Sequence, residues 1–171
     1  MKRNQGFTLI ELIIVIVILG ILAVTAAPRF FNFAGDARVS VLTGLKGSVQ
    51  GATQTVYAKA AIEGQLGAGP NTLNPSGITI VYGYPDATAS GIIAAATLDA
   101  SAITTTAAST DWVYFIGAAN DIYLAQSSVV GTPASADAAG ITAKNCYIRY
   151  TNAASAENPP TIATTVSGCD D

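Results

Sequence analysis

Histidine is absent from the 171 residues of this chain, and only 11% of the residues are charged. A serine or cysteine triad would therefore lack its usual base, and a metal site would lack imidazole ligands. No glycine-rich phosphate loop with a lysine occurs. We therefore expect that the chain is not an enzyme and has no catalytic residue, no metal and no cofactor. The one cation site left open is calcium, if Asp99, Asp111 and Asp121 meet in space.

Basic side chains are scarce in the second part of the chain. Beyond Lys59 only Lys144 and Arg149 are basic, against nine acidic side chains. Nucleic-acid binding requires lysine and arginine at the phosphates. We therefore expect no nucleic-acid partner, and a solvated acidic surface is the ordinary interpretation.

Cysteine is almost as rare, with one residue at position 146 and one at position 169. Two cysteines behind an export segment favour a disulfide between Cys146 and Cys169, and two buried thiols are the alternative. Closing a loop of this length would stabilise the fold by roughly 3 kcal/mol on the loop-entropy account.

One long apolar segment is present, over Phe7 to Ala27, and its length suits a bilayer. Three interpretations compete: a secretory signal cut after Ala27, a plain membrane anchor, and an anchor that later becomes the core of an assembly. Lys2 and Arg3 in front of the segment fit all three. Glu11 inside the apolar stretch and Pro28 just after the cut weaken the first.

Glu11 needs a partner if the segment is buried. A carboxylate in a spanning helix costs roughly 2.5–3.5 kcal/mol, and no basic residue lies within seven positions of it. Cleavage after Gly6 would give Phe7 an α-amine four residues away. This amine could pair with Glu11 within one helix. If Glu11 instead pairs with the amine of a neighbouring helix, the pair would fix the stagger of packed subunits. Simple capping of the helix start is the alternative.

Residues 6–12, GFTLIEL, follow a short basic leader and precede the apolar run. This arrangement resembles the class III signal of type IV prepilins, which type II secretion pseudopilins share. The resemblance implies cleavage between Gly6 and Phe7 by prepilin peptidase, N-methylation of Phe7, and a role for Glu11 in methylation and registration. It also implies a single-pass precursor in the inner membrane of a Gram-negative bacterium, inner-membrane pilus assembly machinery as a partner, and a helical homopolymer outside the cell.

Residues 20–38, GILAVTAAPRFFNFAGDAR, resemble the mannose-sensitive haemagglutinin (MSHA) subtype of these pilins. Residues 81–85, VYGYP, and the C-terminal cysteine pair add weaker support. The subtype implies a major pilus subunit that supports attachment to surfaces, with glycans as a partner. A pseudopilin of a type II secretion system and a secreted binding domain released by ordinary signal peptidase are the alternatives.

The apolar pattern continues beyond Pro28, where we predict a kink. We predict one helix over residues 7–62, with a transmembrane or fibre-core half at 7–27 and an amphipathic half at 28–62. Residues 1–6 would be the leader and residues 63–171 the head. The predicted apolar stripe of the second half comprises Phe30, Phe33, Ala37, Val41, Leu45, Val49, Ala52, Val56 and Ala60.

The head is predicted to be rich in strands. The expected fold is α+β and type IV pilin-like: a long N-terminal helix packed against an antiparallel sheet, whose other face is wet, with a C-terminal loop bounded by the disulfide. The resemblance implies a surface role for this loop, and a passive cover is the alternative. The predicted strands are Ile78–Tyr82, Trp112–Ile116, Ile122–Ala125 and Cys146–Tyr150, with a short helix at Ser90–Leu98.

Overall fold

The computed structural model describes residues 6–30 and 33–170, and it opens with two helices. The first helix, α1, spans Leu9–Phe30, and α2 spans Phe33–Ile62. The predicted end at Ile62 is confirmed. The kink predicted at Pro28 stays a prediction, because α1 continues through this residue, and residues 31 and 32 lie outside the described part. Most of the predicted leader, residues 1–5, lies outside it as well.

Two sheets follow the helices. The smaller sheet has the order β1-β2-β3 and is antiparallel. The larger sheet has the order β4-β5-β6-β7-β8, in which β4 runs parallel to β5 and the other pairs are antiparallel. The predicted α+β class is therefore confirmed. The strands are β1 Asn71–Thr72, β2 Thr79–Val81, β3 Tyr84–Pro85, β4 Ala100–Ala102, β5 Trp112–Ile116, β6 Asp121–Gln126, β7 Tyr147–Thr151 and β8 Thr161–Thr165.

The strands with aromatic and β-branched residues lie where the sequence predicts them. The strand Trp112–Ile116 is confirmed, and β6 and β7 differ from their predicted bounds by one residue at each end. The Ala-rich β4 was missed because alanine carries little strand signal, whereas β8 was missed although its threonine and isoleucine residues favour a strand. The helix predicted at Ser90–Leu98 is a π-helical turn at Ala89–Ile93.

The main core lies between α2 and one face of the larger sheet. On α2, Leu42, Leu45 and Val49 are buried in this core, whereas Val56 and Ala60 are buried in a separate core with Leu73 and with Ile80 of the smaller sheet. The second part of the predicted stripe is thus confirmed. The sheet contributes side chains that alternate along β6 and β7 and point to the same face: Ile122, Leu124, Ile148 and Tyr150.

The predicted stripe is wrong at Phe33, Ala37 and Val41, which are exposed, and the side chain of Phe30 lies outside the described part. Phe33 is 60% exposed and Val41 is 44% exposed, whereas Leu42 is fully buried. Steps of four residues advance about 40° beyond a full helical turn each. The three steps from Phe33 to Leu45 therefore rotate the stripe about 120° away from the sheet. Residues spaced alternately by three and four, such as Leu42, Leu45 and Val49, stay on the side of the helix that faces the sheet.

The opposite face of the larger sheet is also partly covered, which differs from the expected wet face. The segment between β6 and β7 folds into two short helices, α3 over Ser127–Val130 and α4 over Ala138–Thr142. Asp137 caps α4 by accepting a hydrogen bond from the Gly140 amide at 3.2 Å. A second core lies beneath these helices and consists of Ile103, Val113, Ala125, Val130 and Ile141.

The two sheets are joined by one buried hydrogen bond and two partly buried ones. The Tyr150 hydroxyl of β7 donates to the Pro85 carbonyl of β3 at 2.6 Å. Burial raises the pKa of Tyr150 well above its usual range, so the phenol stays a donor. Beside it, Asn152 accepts from the Ala87 amide at 2.6 Å and donates to Asp86 at 2.5 Å. The smaller sheet therefore has a fixed position on the larger one.

The burial of neighbouring positions on α2 can be tested with a matched pair of substitutions. We expect Leu42→Ala to lower the free energy of unfolding by about 2–5 kcal/mol, because it leaves a cavity in the core. Val41→Ala should change it by about 0.5 kcal/mol or less, because Val41 is exposed. Denaturant unfolding measures both, and equal losses would contradict the observed orientation of α2.

Candidate assembly site

The N-terminal start of α1 is organised by Thr8 and Glu11. The Thr8 amide donates to Glu11 Oε2 at 2.8 Å, and the Thr8 hydroxyl donates to the same oxygen at 2.6 Å. Threonine just before the helix and glutamate at its third position form a capping box. Sequence reasoning missed Thr8, although the T-x-x-E pattern that identifies this cap is present.

The capping alternative for Glu11 is therefore realised in the uncut chain. Phe7 is 93% exposed, and its nitrogen is part of the peptide bond to Gly6, so no amine is present to pair with Glu11. Both bonds from Thr8 use Oε2. Cleavage after Gly6 and registration by Glu11 stay predictions. Because Thr8 bonds only to Oε2, the cap leaves Oε1 of Glu11 available for an amine.

The surface of α1 is apolar and exposed. From Leu9 to Val24, its large apolar side chains are each 45–76% exposed, on every side of the helix. Soluble monomers rarely expose apolar patches of this extent, so α1 requires a partner surface. Within residues 6–30 and 33–170, no helix combines the length and the hydropathy that a membrane span needs.

The predicted disulfide between Cys146 and Cys169 is confirmed. Its sulfurs are 2.07 Å apart, and both residues are fully buried. The loop that it closes contains the paired strands β7 and β8. Part of the C-terminal loop is therefore built into the sheet as β8. Residues 156–159, in the connection between β7 and β8, are exposed.

The C-terminal end contacts the beginning of α2. Arg38 Nη1 donates to the Cys169 carbonyl oxygen at 2.8 Å. Asp170 lies so close to Gly35 that a methyl group at position 35 would overlap its carboxylate. Gly35 is buried. The disulfide loop thus reaches the part of α2 that is nearest in sequence to α1.

The three candidate calcium aspartates do not converge. Asp99 accepts from the Asp111 amide at 3.3 Å at one end of β5. Asp121 lies beyond the other end of β5, about 20 Å from Asp111 along the strand direction. Asp121 is instead buried and accepts from Arg149 Nε at 2.6 Å. This hydrogen bond raises the pKa of Arg149. The calcium hypothesis is therefore wrong for these residues, and the described residues contain no group of three potential metal ligands.

Comparison with known proteins shows similarity over part of the chain. Residues 1–27 match the prokaryotic N-terminal methylation motif. Fimbrial protein EcpC of Eikenella corrodens is 40% identical over 59 residues, which are 34% of this chain and 39% of that protein. The type IV major pilin protein PilA of Myxococcus xanthus is 55% identical over 38 residues, 22% of this chain and 17% of PilA. The type IV narrow pilus major component PilA5 of Thermus thermophilus is 43% identical over 61 residues, 36% of this chain and 49% of PilA5.

The chain spans about 17% to 49% of the length of these three relatives. No solved structure matches it significantly. An α+β fold with a long N-terminal helix and a C-terminal disulfide is consistent with the type IV pilin fold. The N-terminal methylation motif and these relatives thus show that part of the chain is similar to fimbrial proteins and type IV pilins.

Loss of the disulfide should destabilise the head. Because the two cysteines are 23 residues apart, replacing both with alanine should lower the free energy of unfolding by about 3 kcal/mol. The midpoint of denaturant unfolding measures this loss in the oxidised parent and the double variant. The parent assayed in reductant after complete unfolding serves as the control and should match the variant. An unchanged midpoint would contradict a stabilising role.

Proposed function

We propose that this chain is the structural subunit of an extracellular type IV pilus, in which many copies bury α1 against one another. The observation that carries the proposal is the exposed apolar surface of α1. Apolar burial contributes roughly 25 cal/mol per Å², so packing of these surfaces would supply the cohesion of a filament. The head, with its own three cores, would cover the outside of the filament.

The proposed route begins with a precursor at the inner membrane of a Gram-negative bacterium. Prepilin peptidase cuts between Gly6 and Phe7 and methylates the new terminus, and the inner-membrane pilus machinery assembles the cut subunits. The match of residues 1–27 to the methylation motif supports this route. Exposure of Gly6 and Phe7 also supports it, because a peptidase needs access to the bond.

The MSHA subtype, with a role in surface attachment, is the finer form of the proposal. It is supported by the resemblance over residues 20–38. The head also has a cavity of about 470 Å³ whose lining includes Tyr82, Asp86, Asn120 and Asn152. Carboxylate and carboxamide groups can bind hydroxyl groups of a glycan. Mannose-sensitive clumping of red cells by bacteria with and without this chain is the corresponding assay.

The N-terminus and the assembled form test the proposal together. We expect mass spectrometry of the mature protein to find N-methylated Phe7, and electron microscopy to find surface filaments labelled by antibodies against the head. A mature N-terminus at Pro28 would instead identify a secreted domain released by ordinary signal peptidase. Correct cleavage at Phe7 without surface filaments would favour a pseudopilin of a type II secretion system.

Substitution of Glu11 separates capping from registration. We expect Glu11→Ala to leave cleavage intact but to lower filament yield at least roughly tenfold, because a buried amine that loses its partner costs about 3–5 kcal/mol. Thr8→Ala is the matched control, since it removes the cap and keeps the carboxylate, at a cost of about 1 kcal/mol. Equal filament yields from the two variants would mean that Glu11 serves only as a cap.

A further inference from the structure

We infer that Gly35 and Arg38 are positioning residues that seat the C-terminal segment 168–170, and that this segment fixes the beginning of α2 to the head. The first turns of α2 are only partly covered by the sheet. Within residues 33–41 only Gly35 is buried, Val39 is partly buried against the main core, and Phe33 and Val41 are well exposed. Full burial of α2 on the sheet begins further along, at Leu42.

Two contacts hold segment 168–170 on α2, a steric contact at Gly35 and a hydrogen bond from Arg38, and together they are called the seat. Gly35 has no side chain, and this allows Asp170 to lie directly on the helix. A methyl group at position 35 would overlap the Asp170 carboxylate and come to 3.0 Å from its Cα. One turn further along, Arg38 Nη1 donates to the Cys169 carbonyl at 2.8 Å. Two neighbouring turns of α2 therefore contact two neighbouring residues of the C-terminal segment.

The other side of the segment is anchored in the sheet. Cys169 is bonded to Cys146, which immediately precedes β7, and both cysteines are fully buried. The Gly168 amide donates to the Asn145 carbonyl at 3.0 Å, and a side chain at position 168 would overlap the Lys144 carbonyl. A short path thus connects the beginning of α2, through segment 168–170, to an inner strand of the larger sheet.

This connection has a consequence for assembly, which rests on the proposed function. The apolar helix α1 precedes α2 in the chain, so a fixed start of α2 limits the directions in which α1 can leave the head. If α1 has fewer orientations relative to the head before assembly, it loses less conformational entropy when it packs into a filament. Gly35 and Arg38 would therefore favour assembly without touching a neighbouring subunit.

The test compares Gly35→Ala with Gly44→Ala in the full chain, purified in detergent micelles. Both positions are glycines inside α2, and alanine favours helix at both. Gly44 has open space around it. The readout is the rate at which dithiothreitol reduces the disulfide without denaturant, followed by alkylation and mass spectrometry. Since the buried disulfide must be exposed to react, we expect roughly tenfold faster reduction in Gly35→Ala and the parental rate in Gly44→Ala.

A second substitution shows whether Asp170 is the cause. Asp170→Gly removes the side chain that an alanine at position 35 would overlap. In the Gly35→Ala background it should return the reduction rate most of the way to the parental value, or restore accumulation if Gly35→Ala alone does not accumulate. Equal rates in Gly35→Ala and Gly44→Ala would overturn the seat, and so would the absence of rescue by Asp170→Gly.

Filament yield of the same variants tests the role in assembly. We expect a marked loss of filaments in Gly35→Ala, a normal yield in Gly44→Ala, and recovery in the double variant. A normal yield in Gly35→Ala despite fast reduction would overturn the assembly role and leave the seat intact. If the parental chain forms no filaments, the proposed pilus function fails, whereas the comparison of reduction rates still decides the seat.

Discussion

Burial of apolar surface on α2 is the interaction on which the head depends. Leu42, Leu45 and Val49 pack against one face of the larger sheet, which includes the side chains of Ile122 and Ile148. The helix α1 has an even more apolar composition, yet its large apolar side chains from Leu9 to Val24 have no such cover among the described residues. The same physical force therefore acts within the chain on α2 and, in the proposed filament, between chains on α1.

The disulfide loop belongs to this organisation and is more than an added surface segment. It contributes β8 to the sheet and brings Cys169 and Asp170 onto the beginning of α2. A loop with one strand inside the fold and an exposed connection can vary in sequence at its exposed part while its ends stay fixed. The loop thus combines a structural role at the helix with a surface that is open to contact.

Much of the fold could be predicted from local patterns. The apolar run, the end of α2 at Ile62 and the strand Trp112–Ile116 follow from composition and periodicity. The strand β4 could not be predicted, because Ala and Ser form a strand there only through pairing with β5, whereas the β-branched residues of β8 did offer a strand signal. The rotation of the first turns of α2 was also missed, since a stripe of apolar residues does not show which face the sheet will meet.

For the candidate site, the sequence by itself determined the chemistry at the N-terminus. The absence of histidine, the Gly6-Phe7 bond and Glu11 four residues later are local features, and so is the T-x-x-E pattern of the cap. Only the tertiary structure decided the separation of Asp121 from Asp99 and Asp111, the pairing of Asp121 with Arg149, and the seat of Asp170 on Gly35. The physical reason is the range of the contacts: capping acts within one helical turn, whereas these contacts join residues that only the folded sheet brings together.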